Sequence, residues 1–337
     1  MNGGEGGGDS SALIGSLLGQ ALGDALGFVV EAEPPESARE YVDGWLRTGR
    51  AQDRSHPGFP FGQYTDDTQL ARELLRSFLD AGEWSPAAFA IRVAELFHDG
   101  RVVGAGRGTR SAAVRLLTGV PWQQSGTPAP YAGNGSAMRA GPLGILIPEC
   151  GAMCRAAGEQ SRITHLDPRC AAGSIAIAGA VALAARRKPI EPRAFLAELA
   201  RWAGAEDGSV GEAIERLTDW VSLEPGAAAR HIHDAGLDPD HMTRWQGISA
   251  FVTPSVLWSL YAFLRSPDDY WETICTAIEV GGDTDTMAAM AGAISGARLG
   301  PEGLPRTLVD CVNDRGKWDA PALARLAQDA AAVLERD

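Results

Sequence analysis

Apolar residues recur at helical spacing along almost the whole chain. Between Ser11 and Val30 they fall at Leu13, Leu17, Leu18, Ala21, Ala25 and Leu26, and the same periodicity returns over 69–81, 86–98, 108–118, 168–186, 192–203, 209–222, 247–265, 269–280, 286–299 and 320–335. The two-residue alternation of half-buried strands is almost absent. One short apolar run, Gly144-Ile145-Leu146-Ile147-Pro148, is too brief to decide between strand and helix. No repeat of fixed period and no low-complexity linker divides the chain. The pattern therefore predicts one all-α domain over residues 11–337, with many helices around a buried central set, preceded by a flexible Gly-rich tail over 1–10.

The first predicted helix carries a stripe of small residues, with Gly15, Gly19, Gly23 and Gly27 at every fourth position. Each glycine inside a helix costs about 1 kcal/mol relative to alanine, so the stripe predicts that another backbone packs close against it. Asp24 stands inside the stripe, and Glu31 lies seven residues, about two helical turns, further along the same face.

Composition narrows the function classes. The 337 residues are 45% hydrophobic and 22% charged, a globular balance, with a net charge of −13. That charge disfavours nonspecific binding to nucleic acid or to an anionic membrane. The first ten residues have neither a basic start nor an apolar stretch, so they read as neither a signal peptide nor a membrane span. Five cysteines without a CxxC spacing suit buried thiols in a reducing compartment, and a cytoplasmic location is expected.

The candidate chemistry lies in two Thr/Asp clusters over two hundred residues apart, Thr65-Asp66-Asp67-Thr68 and Gly281-Gly282-Asp283-Thr284-Asp285-Thr286. Both precede apolar-periodic segments, Leu70, Leu74, Leu75, Phe78 and Leu79 after the first, Met287, Met290 and Ile294 after the second. A helix N-cap explains one side-chain oxygen in each. It does not explain two acids packed together with threonines, which repel one another unless a positive charge intervenes. Carboxylates and hydroxyls offer only oxygen, the ligand set of hard divalent cations. A Gly-rich turn, Gly133-Asn134-Gly135-Ser136, can point backbone N–H groups at phosphate oxygens or can be an ordinary tight turn. Arg107 and Arg110 can neutralise phosphate or stand as solvated helix residues, and His231, His233 and His241 read as surface residues.

Six motifs occur in one order: Gly19-Gln20-Ala21-Leu22-Gly23-Asp24-Ala25-Leu26-Gly27 with Glu31; Thr65 to Thr68; Gly104-Ala105-Gly106-Arg107-Gly108-Thr109-Arg110; Gly133 to Arg139; Thr164-His165 with Pro168; and Gly281 to Thr286. Together they resemble the ADP-ribosylglycohydrolases, over about Ser11 to Gly300. The resemblance implies a compact all-α fold with two divalent cations, Mg2+ or Mn2+, at the bottom of a cleft. It implies Thr65, Asp66, Asp67, Asp283, Asp285 and Thr286 as metal ligands, with Asp285 bridging. It places Glu31 near the metals on a mobile loop spanning residues 31–62, a stretch with Pro34, Pro35, Pro57 and Pro60 and little periodicity. Gly106, Gly133, Asn134, Gly135, Ser136 and His165 would hold the diphosphate and adenosine end of the ligand, and Tyr131 stands one place from the family's aromatic position.

The activity so implied is hydrolysis of an ADP-ribosylated protein with release of ADP-ribose. Asp66 and Asp67 are candidate proton acceptors as well as ligands, and Glu31 is a candidate for proton shuttling or gating. Two other classes remain open on the sequence: a protein that binds ADP-ribose without cleaving it, and a hydrolase of another glycosyl-linked substrate such as ADP-ribosylated nucleic acid, a free metabolite or a nucleoside. A monomer is expected, by analogy with similar proteins.

Overall fold

A computed structural model of the protein describes residues 6–237 and 245–334. His241 and residues 1–5 of the Gly-rich stretch lie outside the described residues. In chain order the helices are α1 (Gly6–Gly27), α2 (Pro35–Tyr41), α3 (Asp66–Ala81), α4 (Pro86–His98), α5 (Arg107–Leu117), α6 (Trp122–Ser125), α7 (Leu143–Leu146), α8 (Cys150–Thr164) and α9 (Pro168–Ala185). They continue with α10 (Pro192–Gly204), α11 (Gly208–Trp220), α12 (Pro225–Ile232), α13 (Val252–Arg265), α14 (Tyr270–Glu279), α15 (Thr284–Leu299), α16 (Arg306–Val309) and α17 (Ala320–Leu334). Among the described residues the only β features are isolated bridges. The all-α expectation holds, and the undecided run at 144–148 begins inside the short helix α7. Helix α1 starts at Gly6, five residues before the apolar periodicity does.

The glycine stripe is the centre of the packing. Helix α1 lies along α15 so closely that a Cβ on Gly15, Gly19, Gly23 or Gly27 would stand 2.2, 2.4, 2.2 or 2.3 Å from the carbonyl oxygens of Gly296, Gly292, Ala288 and Thr284 respectively. The contact is reciprocal, since a Cβ on Gly292 would meet the Gly19 oxygen at 2.3 Å. The two helices run antiparallel, so the C-terminal end of α1, with Asp24, reaches the N-terminal end of α15, with Asp285. A hydrogen bond from the Thr284 hydroxyl to the Gly27 carbonyl, 2.8 Å, locks this end. Tyr270 of α14 seals the other flank by donating to the Gly19 carbonyl at 2.7 Å.

Around this pair, α9 and α13 are buried along most of their length. Two helical stretches, Ser10–Val30 and Pro168–Ala185, are long and apolar enough to cross a membrane, but 89% and 72% of their most apolar windows are buried inside the protein, as core helices are. Helix α8, which the periodicity does not mark, is real. Its buried face is built from Met153, Ala156, Ala157, Gln160, Ser161, Ile163 and Thr164, a mixture of small and polar groups that gives a weak apolar signal. The end of the chain anchors α3: Asp314 accepts from Gln69 and Arg72, each at 2.9 Å, and both are fully buried.

Two predicted spans differ from what is seen. Residues 247–251 are not helical; they form a bent connection, with Ile248 bridged to Gly282 and Phe251 bridged to Gly133. The stretch 31–62 is not bare loop. It holds α2, a π turn over Val42–Leu46 and a 3-10 turn over Ala51–Asp53, and it buries Ala38, Tyr41, Val42, Leu46 and Ala51. Ala38, Tyr41, Val42 and Leu46 fall at helical spacing, but the run is short and follows Pro34 and Pro35, so it gives only a weak period in the sequence.

Gly19→Ala should destabilise the protein by about 3 kcal/mol or more, because the new methyl meets backbone on the facing helix and cannot rotate away. Gly44→Ala, where no atom lies within 4 Å of the added carbon, should be neutral or stabilising by about 0.5 kcal/mol. Urea unfolding midpoints measure both, and a wild-type midpoint for Gly19→Ala would contradict the close packing.

Candidate active site

The tip of α3 points at the α1/α15 junction. Thr65 caps α3 through its hydroxyl, which accepts from the Asp67 N–H and donates to the Asp67 carboxylate at 3.0 Å. Asp24, reaching across from α1, accepts from the Thr65 N–H at 2.9 Å, the Thr68 N–H at 3.0 Å and the Thr68 hydroxyl at 2.7 Å. One carboxylate on the glycine stripe thus fixes the first turn of a helix more than forty residues away. Gln20, one turn before Asp24, donates to the carbonyls of Asp67 and Met138 at 2.9 and 3.1 Å and ties the Gly133–Arg139 loop to the same tip.

The second cluster opens α15. Gly281 and Gly282 have φ of +71° and +88°, and a Cβ on either would strike backbone, Pro35 N at 2.7 Å and Ile248 O at 2.1 Å. The tightness has a purpose in the geometry: Gly282 takes a hydrogen bond from Ala32 N–H at 2.8 Å and donates to Glu33 O at 3.0 Å, so the segment carrying Glu31 is strapped to the loop carrying Asp283. On the other side Ile248 accepts from Asp283 N–H at 2.8 Å. Asp283 also accepts a short hydrogen bond from Asn134, which donates to the Ser255 hydroxyl at 2.8 Å as well.

The result is two groups of three carboxylates, Asp24–Asp67–Asp285 and Glu31–Asp283–Asp285, each with its oxygens within 4.8 Å of one another and with Asp285 in both. All but the partly exposed Glu31 are buried. Burial, before any neighbour, raises every one of these acids, and their mutual repulsion raises Glu31, Asp67 and Asp285 further. Asp24 and Glu31 are each lifted to about 7. Asp66 is raised too, by burial and then by Asp24 and Glu31. Six acids held in this way need protons or cations between them. Divalent cations fit: the donors are all hard oxygens, and the buried Asp67 Oδ1 has no hydrogen-bond partner in the protein.

Most of the residues expected from the sequence do converge. Glu31, Asp66, Asp67, Gly106, Gly133, Asn134, Gly135, His165, Asp283, Asp285 and Thr286 line one cleft. Three expectations shift in detail. Asp66 faces the cleft but belongs to neither carboxylate triad, whereas Asp24 does. Thr65 spends its hydroxyl on Asp67. The Ser136 hydroxyl turns away from the cleft into the core, donating to Cys170 O at 3.3 Å and meeting the hydroxyls of Ser161 and Ser174 at 2.9 and 3.1 Å. The signal for Asp24 was present in the sequence, as an acid inside a stripe of glycines.

Beyond the carboxylates the cleft is lined by the Gly106–Thr109 turn at the start of α5, the Gly133–Gly135 turn and His165. Tyr131 stacks on His165 with centroids 5.9 Å apart, accepts from the Gly108 N–H at 3.2 Å, and carries the Arg107 guanidinium 5.2 Å above its ring. Arg110 is turned to the Ala105 carbonyl, 2.7 Å. Trp245, for which the sequence gives no signal, adds an aromatic wall. His231 stacks on Trp220 and His233 pairs with Asp234, away from the cleft.

Comparison with known proteins gives the chain its family. The chain is 28% identical to the human ADP-ribosylhydrolase ARH3 over 267 residues, covering 72% of this chain and 73% of that protein. It is 26% identical to the ADP-ribosylarginine hydrolase Tri1 of Pseudomonas putida over 278 residues, covering 77% and 68%. A solved structure described as an ADP-ribosylglycohydrolase-related protein complex superposes with a TM-score of 0.71 at 24% identity, over 96% of this chain and 98% of that one, which shows a shared fold. A sequence model described as ADP-ribosylglycohydrolase matches residues 9–337, beyond the Gly300 limit of the motifs and through the Asp314 anchor. The chain belongs to the ADP-ribosylglycohydrolase family.

Proposed function

We propose that this protein hydrolyses the bond between C1 of the distal ribose of ADP-ribose and a modified arginine or serine side chain, releasing ADP-ribose. The observation that carries the reading is the pair of carboxylate triads sharing Asp285 at one end of a cleft whose other walls are glycine turns suited to a diphosphate. The names of the two relatives above support the substrate class.

Asp24, Asp67 and Asp285 would hold one divalent cation and Glu31, Asp283 and Asp285 a second, Mg2+ or Mn2+, with Thr286 and Asp66 at the margin. When bound, such cations supply Lewis acidity toward ribose hydroxyls and lower the pKa of a water. The chain's own groups do the rest. Gly106 has no atom within 4 Å of an added Cβ and leaves room for a phosphate oxygen to approach backbone, while Gly108, Gly133 and Gly135 give that space to Tyr131, Thr109 and His165 on the same wall. Asn134 holds the Asp283 carboxylate in place, and Asp24 holds the tip of α3. Glu31, partly exposed on the cleft rim, is the first candidate to take and return a proton. Asp66, lining the cleft but outside both triads, is the second candidate acceptor.

The raised acids fix the sign of a pH effect. A folded-state pKa of about 7 for Asp24 and Glu31 means that the metal-free fold binds protons the unfolded chain has released. Its stability therefore falls as pH rises from about 4 to about 7. Divalent cations replace those protons, so the rise in Tm on adding Mn2+ or Mg2+ should be larger at about pH 8 than at about pH 5. Thermal unfolding in chelator and in metal measures this, and a metal-induced shift independent of pH would count against the assignment.

Release of free ADP-ribose from arginine- and serine-ADP-ribosylated peptides tests the reaction. Activity should need Mg2+ or Mn2+ and vanish on chelation. Asp285→Ala should lower turnover by about three orders of magnitude, the scale of losing a group that acts within a catalytic unit, with an unchanged circular dichroism spectrum. Turnover retained in that variant at saturating metal would contradict the two-cation site. No release from either peptide by a wild-type protein that binds ADP-ribose would favour a reader protein or another acceptor.

A further inference from the structure

Behind the Gly133–Gly135 turn lies a fully buried cation. Arg139 makes no ion pair among the described residues and donates only to neutral acceptors, although the Asp66 carboxylate acts on it at longer range. Its guanidinium donates to Gln160 Oε1 at 2.7 Å, Gln160 O at 3.0 Å, Gly135 O at 3.1 Å and the Thr164 hydroxyl at 2.8 Å, and it lies 5.3 Å over the Phe89 ring. A guanidinium keeps its charge in such a place, and a buried charge with no directly paired counter-ion is kept at a cost in stability.

Thr164, the last residue of α8, passes the effect of this charge on. Its buried hydroxyl accepts from Arg139, and it stands 2.8 Å from Nδ1 of His165. Among the described residues Nδ1 is the one acceptor within hydrogen-bond reach of the Thr164 proton. Were Nδ1 itself protonated, that hydroxyl proton would be buried with no acceptor, an arrangement native proteins avoid. Nδ1 is therefore the acceptor, and a neutral imidazole then carries its proton on Nε2.

Nε2 makes no hydrogen bond to any described residue, and His165 lines the cleft. The absence of side chains on three glycines lets this atom reach the cleft wall: a Cβ on Gly108 would stand 2.8 Å from it, one on Gly133 3.5 Å and one on Gly135 3.6 Å. Burial, and then the Arg139 charge, holds the ring far below its ordinary pKa, at about 3, so it stays neutral.

The geometry points to Arg139 and Thr164 as positioning residues that fix His165 as the neutral Nε2–H tautomer, so that this N–H donates to a phosphate oxygen of the ligand in the glycine cradle. The ligand's identity rests on the function proposed above; the tautomer does not. On this reading the histidine is a fixed donor and moves no proton during turnover.

Two-bond 1H–15N NMR of 15N-histidine-labelled protein tests it, with the His165 signals identified by their loss in His165→Asn. Wild type should show an unprotonated Nδ1 and a protonated Nε2. Thr164→Val should lose that single-tautomer pattern and bind ADP-ribose about tenfold more weakly by calorimetry, while Thr164→Ser keeps both. A protonated Nδ1 in wild type overturns the relay, as does a Thr164→Val protein with wild-type tautomer and affinity. Should Thr164→Val fail to fold, the wild-type and Thr164→Ser spectra decide alone. An Nε2–H tautomer in a protein that binds no ADP-ribose supports the relay and overturns the substrate assignment.

Discussion

Everything at the site depends on two helices approaching until backbone meets backbone. Along α1 and α15 the carbonyl oxygens of one helix occupy the positions where side chains of the other would begin. Four glycines on α1 and two on α15 make this possible, each giving up about 1 kcal/mol of helix propensity, and the dispersion and hydrogen bonding gained at such distances must exceed that loss. The closeness also sets a coordinate frame. Asp24 and Asp285 come from opposite ends of the sequence, and no looser packing would hold their carboxylates within one ligand-sized group.

That frame holds an electrostatic situation that the protein alone does not resolve. Asp66 and Asp67 sit in the first turn of α3, and Asp285 in the first turn of α15, where the positive ends of the helix dipoles favour anions. Asp24 and Asp283 receive hydrogen bonds from Thr65, Thr68 and Asn134. These terms reduce the cost of the buried charge without cancelling it, since every one of the six acids stays raised. The site is built for an external positive charge. One buried cation stands nearby: Arg139, which donates to neutral acceptors behind the turn expected to face a diphosphate and whose charge offsets part of the rise at Asp66.

Much of this was legible in the chain, for definable reasons. The Thr/Asp clusters announce both the helix starts and the excess of acid, and the Gly stripe announces close packing, because each depends on short-range patterns. What the sequence hid depends on which way a side chain turns. Ser136 and Asn134 sit two residues apart in one motif, yet one faces the core and the other faces Asp283. Asp24 reads as an oddity within a stripe until α3 is placed beside it. Helix α8 buries its positions at helical spacing, but most of them are small or polar and give little apolar contrast, and the run Ala38, Tyr41, Val42, Leu46 is too short to stand out.

The central claim is that one glycine-packed helix pair assembles a two-cation centre with Asp285 common to both ions. Diffraction at the manganese edge from crystals grown with Mn2+ tests it most directly. The account predicts two anomalous peaks within the carboxylate groups, both ligated by Asp285, one also by Asp24 and Asp67 and the other by Glu31 and Asp283. A single peak, or peaks that leave Asp285 uncoordinated, would contradict it.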